Sequence, residues 1–140
     1  MKKLLILSTA VVALLTTSCK KDNDTTCTLS SSSISGAYKI ASILYKADAQ
    51  TPAVDIITTY DACEKDDILT FSSNGTWTQS EGATSCSPSN SDNGNWSLVG
   101  ETLSVDGVAL TVSNFSCSEF TLNITGPGVG ETTTTRLVRQ

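Results

Sequence analysis

Between Gly36 and Val138 the apolar residues fall at every second position in short runs, and turn residues separate the runs. Leu69 and Phe71 share a face. So do Leu103 and Val105, then Val108, Leu110 and Val112, then Phe120, Leu122 and Ile124. Alternate side chains of a strand point to opposite sides, so this period describes strands with one dry and one wet face. No segment carries a helical stripe of useful length. Strands are expected at residues 37–46, 54–60, 68–72, 76–80, 95–99, 102–105, 108–113, 119–124 and 132–138. Asn74-Gly75 and Asp106-Gly107 each separate two such runs, where a type I′ turn would need positive φ. Thr51-Pro52 marks a loop. A meander of this kind must curl or close to hide its apolar face and its edges. The expected fold is therefore all-β, a small antiparallel up-and-down barrel of about eight or nine strands; a two-sheet β-sandwich is the alternative.

The first residues are targeting signal. Lys2 and Lys3 precede an apolar run from Leu4 to Leu15, too short for the roughly 20 residues that span a bilayer. Small residues follow, then Cys19, in the manner of a bacterial lipobox with Thr16 where a Leu is usual. The reading is a lipoprotein signal peptide at residues 1–18, lipidation of Cys19, a flexible polar tether over residues 19–35 and a domain from residue 36 to 140. Several acyl chains on Cys19, palmitate among them, would hold the protein on a membrane where one chain holds marginally. The expected location is the cell envelope, as an outer membrane lipoprotein facing the periplasm or the exterior.

Removing residues 1–18 takes two of the nine Lys and Arg and none of the fourteen Asp and Glu, leaving seven against fourteen and a net charge of −7. A surface this acidic repels phosphate backbones, which argues against nucleic acid as a partner. The chain has no histidine, so Ser-His and Cys-His nucleophiles and histidine-ligated metals are excluded. Beyond Cys19 there remain Cys27, Cys63, Cys86 and Cys117, an even number that reads as two disulfides in an exported chain. Their wide spacing does not suit zinc, and counting alone leaves three pairings open. The hairpin between them brings the flanks of Cys63 and Cys86 to one end of the barrel, which selects Cys63–Cys86 and, by elimination, Cys27–Cys117. Ser91 to Asn95 has oxygen ligands and a Gly but not the spacing of a calcium loop. No metal and no cofactor is expected.

The segment from Cys63 through Glu64, Asp66, Asp67, Leu69, Phe71, Asn74-Gly75 and Thr76-Trp77, followed by Cys86 and Gly94-Asn95-Trp96, resembles the lipocalin-like domain of bacterial cell-envelope lipoproteins. Ser35-Gly36-Ala37-Tyr38 is similar to the first-strand G-x-W of lipocalins with Tyr for Trp, and Arg136 is similar to the arginine that covers that aromatic. The resemblance spans residues 34–138 and implies a lipocalin-like barrel; a fold does not by itself fix a function.

Adjacent Asp66 and Asp67 would point to opposite sides of a strand, which suits a solvated approach to the strand better than a glycosidase pair. Tyr38, Phe71, Trp77, Trp96 and Phe120 are the candidate ligand-binding residues, core in a filled barrel and wall in an open one. The leading expectation is a non-enzymatic envelope module that binds a small apolar or amphipathic ligand or an envelope protein partner. A scaffold component without a ligand is the alternative, and a hydrolase using carboxylates ranks last.

Overall fold

A computed structural model describes residues 27–140. Cys19 and the expected signal peptide lie outside the described residues. The chain forms β1 (Gly36–Lys46), β2 (Val54–Asp55), β3 (Ile68–Phe71), β4 (Thr76–Ser80), β5 (Asp92–Val99), β6 (Thr102–Val105), β7 (Val108–Ser113), β8 (Glu119–Thr125) and β9 (Thr132–Arg139). One-turn helices α1 (Ser31–Ile34) and α2 (Ala62–Lys65) flank them. Every pairing is antiparallel and between chain neighbours, except that β1 pairs with β3 and closes onto β9. Eight strands make the closed up-and-down barrel, and β2 is an extra strand on the second half of β1. Closure leaves the barrel strands without a free edge along most of their length, the danger a lone meander would face.

Where the pattern of two is strict, the expected strands form. Residues 54–60 do not: β2 is two residues long, and Ile56–Thr59 is a 3-10 turn. Asp55 is the cause. Its Oδ1 accepts from Ile57 N at 3.2 Å, starting the turn, and from Ile43 N at 3.0 Å, taking the place of a ladder bond on β1. At the other extreme β5 begins three residues before expectation, because Asp92, Asn93 and Gly94 pair with Gln79, Thr78 and Trp77 despite their turn-like composition. The Ser91 to Asn95 segment is thus mostly strand.

The turns also divide. Asp106 and Gly107 both have positive φ, 48° and 84°, as the sharp β6–β7 hairpin requires. Between β3 and β4 only Gly75 does. Gly75 N donates to Ser72 O at 3.0 Å and the Asn74 carboxamide accepts from Thr76 N at 3.0 Å, so the Asn acts through its side chain instead of its backbone.

The register fixes which loops share an end. The start of β1, the β3–β4, β5–β6 and β7–β8 turns and the end of β9 gather at one end. That end is sealed. Ile34 of α1 is fully buried, and Leu29 packs against the same core. The polar segment expected as flexible tether is therefore ordered from Cys27 onward and forms the barrel's plug. Two apolar residues among serines suffice, because Ser30 caps α1 through a reciprocal bond with Ser33. The Cys27–Cys117 disulfide fastens the plug to the β7–β8 turn. Cys63–Cys86 closes the second expected pair at the opposite end, joining α2 to the long β4–β5 loop.

Candidate functional site

Beneath the plug the core is aromatic. Tyr38 and Phe120 meet edge to face at 5.0 Å between ring centroids, and Phe71 and Trp96 do so at 5.5 Å. Arg139 crosses this end. Its guanidinium carbon lies 4.9 Å from the Tyr38 ring centroid, and its nitrogens donate to Ser33 O, Ser35 O, Cys117 O and the Tyr38 hydroxyl. The hydroxyl in turn donates to Ile34 O at 2.7 Å. Burial pushes the Tyr38 phenol above its usual pKa, opposed by the nearby Arg139 charge. The arginine covering the aromatic is thus Arg139 and not Arg136, which lies on the outer face and pairs with Glu119. Alternation explains it: Leu137 is fully buried, Arg139 shares its face and Arg136 does not. Gly36 sits at φ +150°, and a β-carbon there would collide with the Arg139 guanidinium.

Toward the other end the lumen is open. A cavity of about 230 Å³ is walled by Leu69, Phe71, Trp77, Val105, Leu110 and Ile124, with Thr133 and Thr135 from β9. Of the candidate ligand residues, Phe71 and Trp77 line this space. Tyr38, Trp96 and Phe120 do not; they are buried in the sealed end. Trp77 is held in the wall from outside its own hairpin. Its indole N–H donates to Asp106 Oδ2 at 2.8 Å, while Asp106 Oδ1 accepts from Asn95 N at 2.7 Å. Gly94 makes this reach feasible, since a β-carbon there would overlap the Asp106 carboxylate. The Gly of Gly94-Asn95-Trp96 is a clearance for a carboxylate at the end of the neighbouring strand, β6.

A second cavity, about 250 Å³, adjoins the first at the in-register pair Leu69 and Gln79, which lines both. Ile40, Ile43, Tyr60, Glu64, Asp67 and Asn90 complete it. Each space alone falls near the small end of ligand cavities, on the order of 300 to 1,000 Å³, and the two side by side reach into that range. Here the expectation for the acidic cluster is corrected. Asp67 is only 7% exposed, not solvated. Its Oδ2 accepts from Gln79 Nε2 at 2.7 Å. Asp66 turns the other way, to Thr84 N at 2.8 Å. Nothing in the one-dimensional pattern marks Asp67 as interior, because a charged residue in a charged run reads as surface.

The mouth is bounded by the β4–β5 loop, which Glu81 organises. Its carboxylate accepts from Cys86 N at 2.8 Å, Asn90 N at 3.0 Å and Ser89 Oγ at 2.8 Å. These bonds, the one from Cys86 foremost, hold the Glu81 carboxyl below its usual pKa. Among the described residues no group of three acidic or cysteine side chains is placed to hold a metal ion, and no helix is long and apolar enough to cross a membrane.

A family model described as a lipocalin-like domain matches residues 34–125. No curated protein and no solved structure matches the chain.

Proposed function

This chain belongs to the lipocalin-like domain family, and from that premise we propose that it is a membrane-anchored cell-envelope lipoprotein whose barrel carries a small apolar or amphipathic ligand. The observation that carries the reading is the asymmetry of the lumen. Arg139, Tyr38 and Ile34 seal one end, while apolar side chains wall a space open toward the other. A scaffold with no ligand would gain stability by filling that space, since unfilled apolar volume forfeits packing.

A hydrolase is disfavoured by the state of its two candidate carboxylates. Glu64 and Asp67 line one cavity, but Glu64 Oε2 is engaged at 2.7 Å by Asp61 N at the start of α2, and Asp67 by Gln79. Each thus has one oxygen committed to a structural hydrogen bond, at the start of α2 and on β4, which suits a fixed wall better than a proton-transferring pair.

The anchor and the plug fit together. Seven residues lie between Cys19 and Cys27, so the eight Cα–Cα steps reach about 27 Å when extended. Lipid on Cys19 would hold the sealed end near the membrane and direct the mouth into the aqueous phase, so that ligand arrives from solution and not from the bilayer beneath. The run Lys20, Lys21, Asp22 and Asp24 after Cys19 resembles the short export tag of some surface lipoproteins, which supports the outer membrane in this reading. Cys19→Ala should abolish acylation and release the protein from membranes; retention of the variant on membranes in high salt would overturn the anchor.

For the cavity, an uncharged apolar fluorophore such as diphenylhexatriene should bind saturably at one site, with energy transfer from Trp77. Leu110→Trp fills the space and should abolish binding while the protein stays folded by circular dichroism. Absence of binding to the unaltered chain, or unchanged binding to the variant, would overturn the reading.

A further inference from the structure

We propose that the cavity at the mouth is a subsite for a cationic head group, so that the ligand is an amphiphilic amine with its ammonium at Asp67 and its apolar body in the barrel. This rests on the ligand-binding reading above and names the ligand's class. The carrying observation is a buried acceptor with nothing to accept from. Asp67 is 93% buried; its Oδ2 is met by Gln79, but its Oδ1 has no partner. Asn90, on the facing loop, likewise has a buried Oδ1 without a partner, and both residues line the same space. Unmet buried acceptors are costly, and a carboxylate oxygen more so than a neutral one.

The needed ligand group follows from what is missing. An ammonium supplies three donors and no acceptor. It has donors enough for both orphaned oxygens and would neutralise a buried carboxylate. Glu64 adds a second acidic side chain to the wall, and Tyr60 adds an aromatic one. No Lys or Arg lines either cavity. Lys65, beside Glu64 in the chain, donates instead to Thr58 O at 3.2 Å. A fatty acid's carboxylate would thus meet like charge with no counter-ion. Leu69 and Gln79 line both spaces, so an amine seated at Asp67 has its apolar body beside Leu69, facing Phe71 and Trp77.

The test is calorimetric titration of the full chain, disulfides oxidised, with decylamine, decanol and decanoate below their micelle concentrations. Decylamine should bind about tenfold or more tighter than decanol, the size expected of a charge-assisted bond, with decanoate weakest. Asp67→Asn keeps shape and should erase the advantage of the amine while leaving decanol affinity in place. Asp66→Asn should retain it, because Asp66 bonds Thr84 N through Oδ2 and its own unpartnered Oδ1 lies outside both cavities. Equal binding of the three probes to the unaltered chain would overturn the head-group assignment and leave the apolar cavity standing. Binding of none would overturn both. An amine advantage that survives in Asp67→Asn would overturn the role of Asp67.

Discussion

Arg139 is the residue on which most of the sealed end converges. One guanidinium reaches three backbone carbonyls from α1 to Cys117 and lies over the Tyr38 ring. A planar fork with five donors is the only side chain that can do this. Each charge-assisted bond is worth roughly 1.5 to 3 kcal/mol in a dry site, and partial exposure of Arg139 reduces the sum. Arg139→Met should destabilise the protein by about 2 to 3 kcal/mol in urea unfolding. Arg139→Lys should recover less than half of that, because an ammonium cannot span the same acceptors. Equal stability of the lysine variant and the parent would show that charge alone matters there. Gly36→Ala should be as damaging as Arg139→Met, since the added carbon and the arginine require the same space. Arg136→Met, by contrast, removes only an exposed pair with Glu119 and should change stability by less than about 1 kcal/mol.

Among the elements, those that form one continuous dry face were legible in advance, and those decided by a side chain bonding its own backbone were not. The alternation through Leu103, Val112, Phe120 and Leu137 describes β6 to β9 because each of these strands turns its apolar side chains to the core, although Thr121 of β8 is buried on the other face. Residues 54–60 have the same β-prone composition, yet Asp55 caps a turn and diverts them. Ile34 lies in a serine-rich stretch too polar to read as core, although its burial seals the barrel. The apolar half of the site, Phe71 and Trp77, could be named from alternation; its polar half, Asp67 and Asn90, could not, because their burial depends on loops folding over them. The β4–β5 loop has its own titration. Its bonds to Glu81 depress that carboxyl, so their contribution is complete above the ordinary value of 4.5 and is lost as pH falls through the lowered value. The amide resonances of Cys86 and Asn90 should therefore shift together in acid below pH 4.5, and Glu81→Gln should remove the shift. A transition of those amides at or above 4.5 would assign it to another group.

At the scale of the whole molecule the two disulfides divide the barrel between them, one at the mouth and one at the plug. Loops of 23 and 90 residues correspond to about 3.4 and 4.6 kcal/mol of unfolded-chain entropy in the chain-entropy treatment. Double substitution of Cys27 and Cys117 with Ala should thus lower the unfolding midpoint more than the same change at Cys63 and Cys86. The two losses should fall on different ends. Loss of Cys63–Cys86 should speed amide exchange in α2 and the β4–β5 loop and spare α1, and loss of Cys27–Cys117 should do the reverse. Exchange that rises uniformly in both variants would show that the ends are not independent. The plug disulfide also sets how the molecule bears load. Pulled between Cys27 and its C-terminus, the oxidised chain can pay out only the 23 residues beyond Cys117, about 80 Å, whereas the reduced chain can lengthen by all 113, about 390 Å. Force arriving along the N-terminal segment passes through sulfur into the β7–β8 turn and reaches β8 and β9 first, leaving β1 to β7 inside a covalent loop that tension cannot stretch.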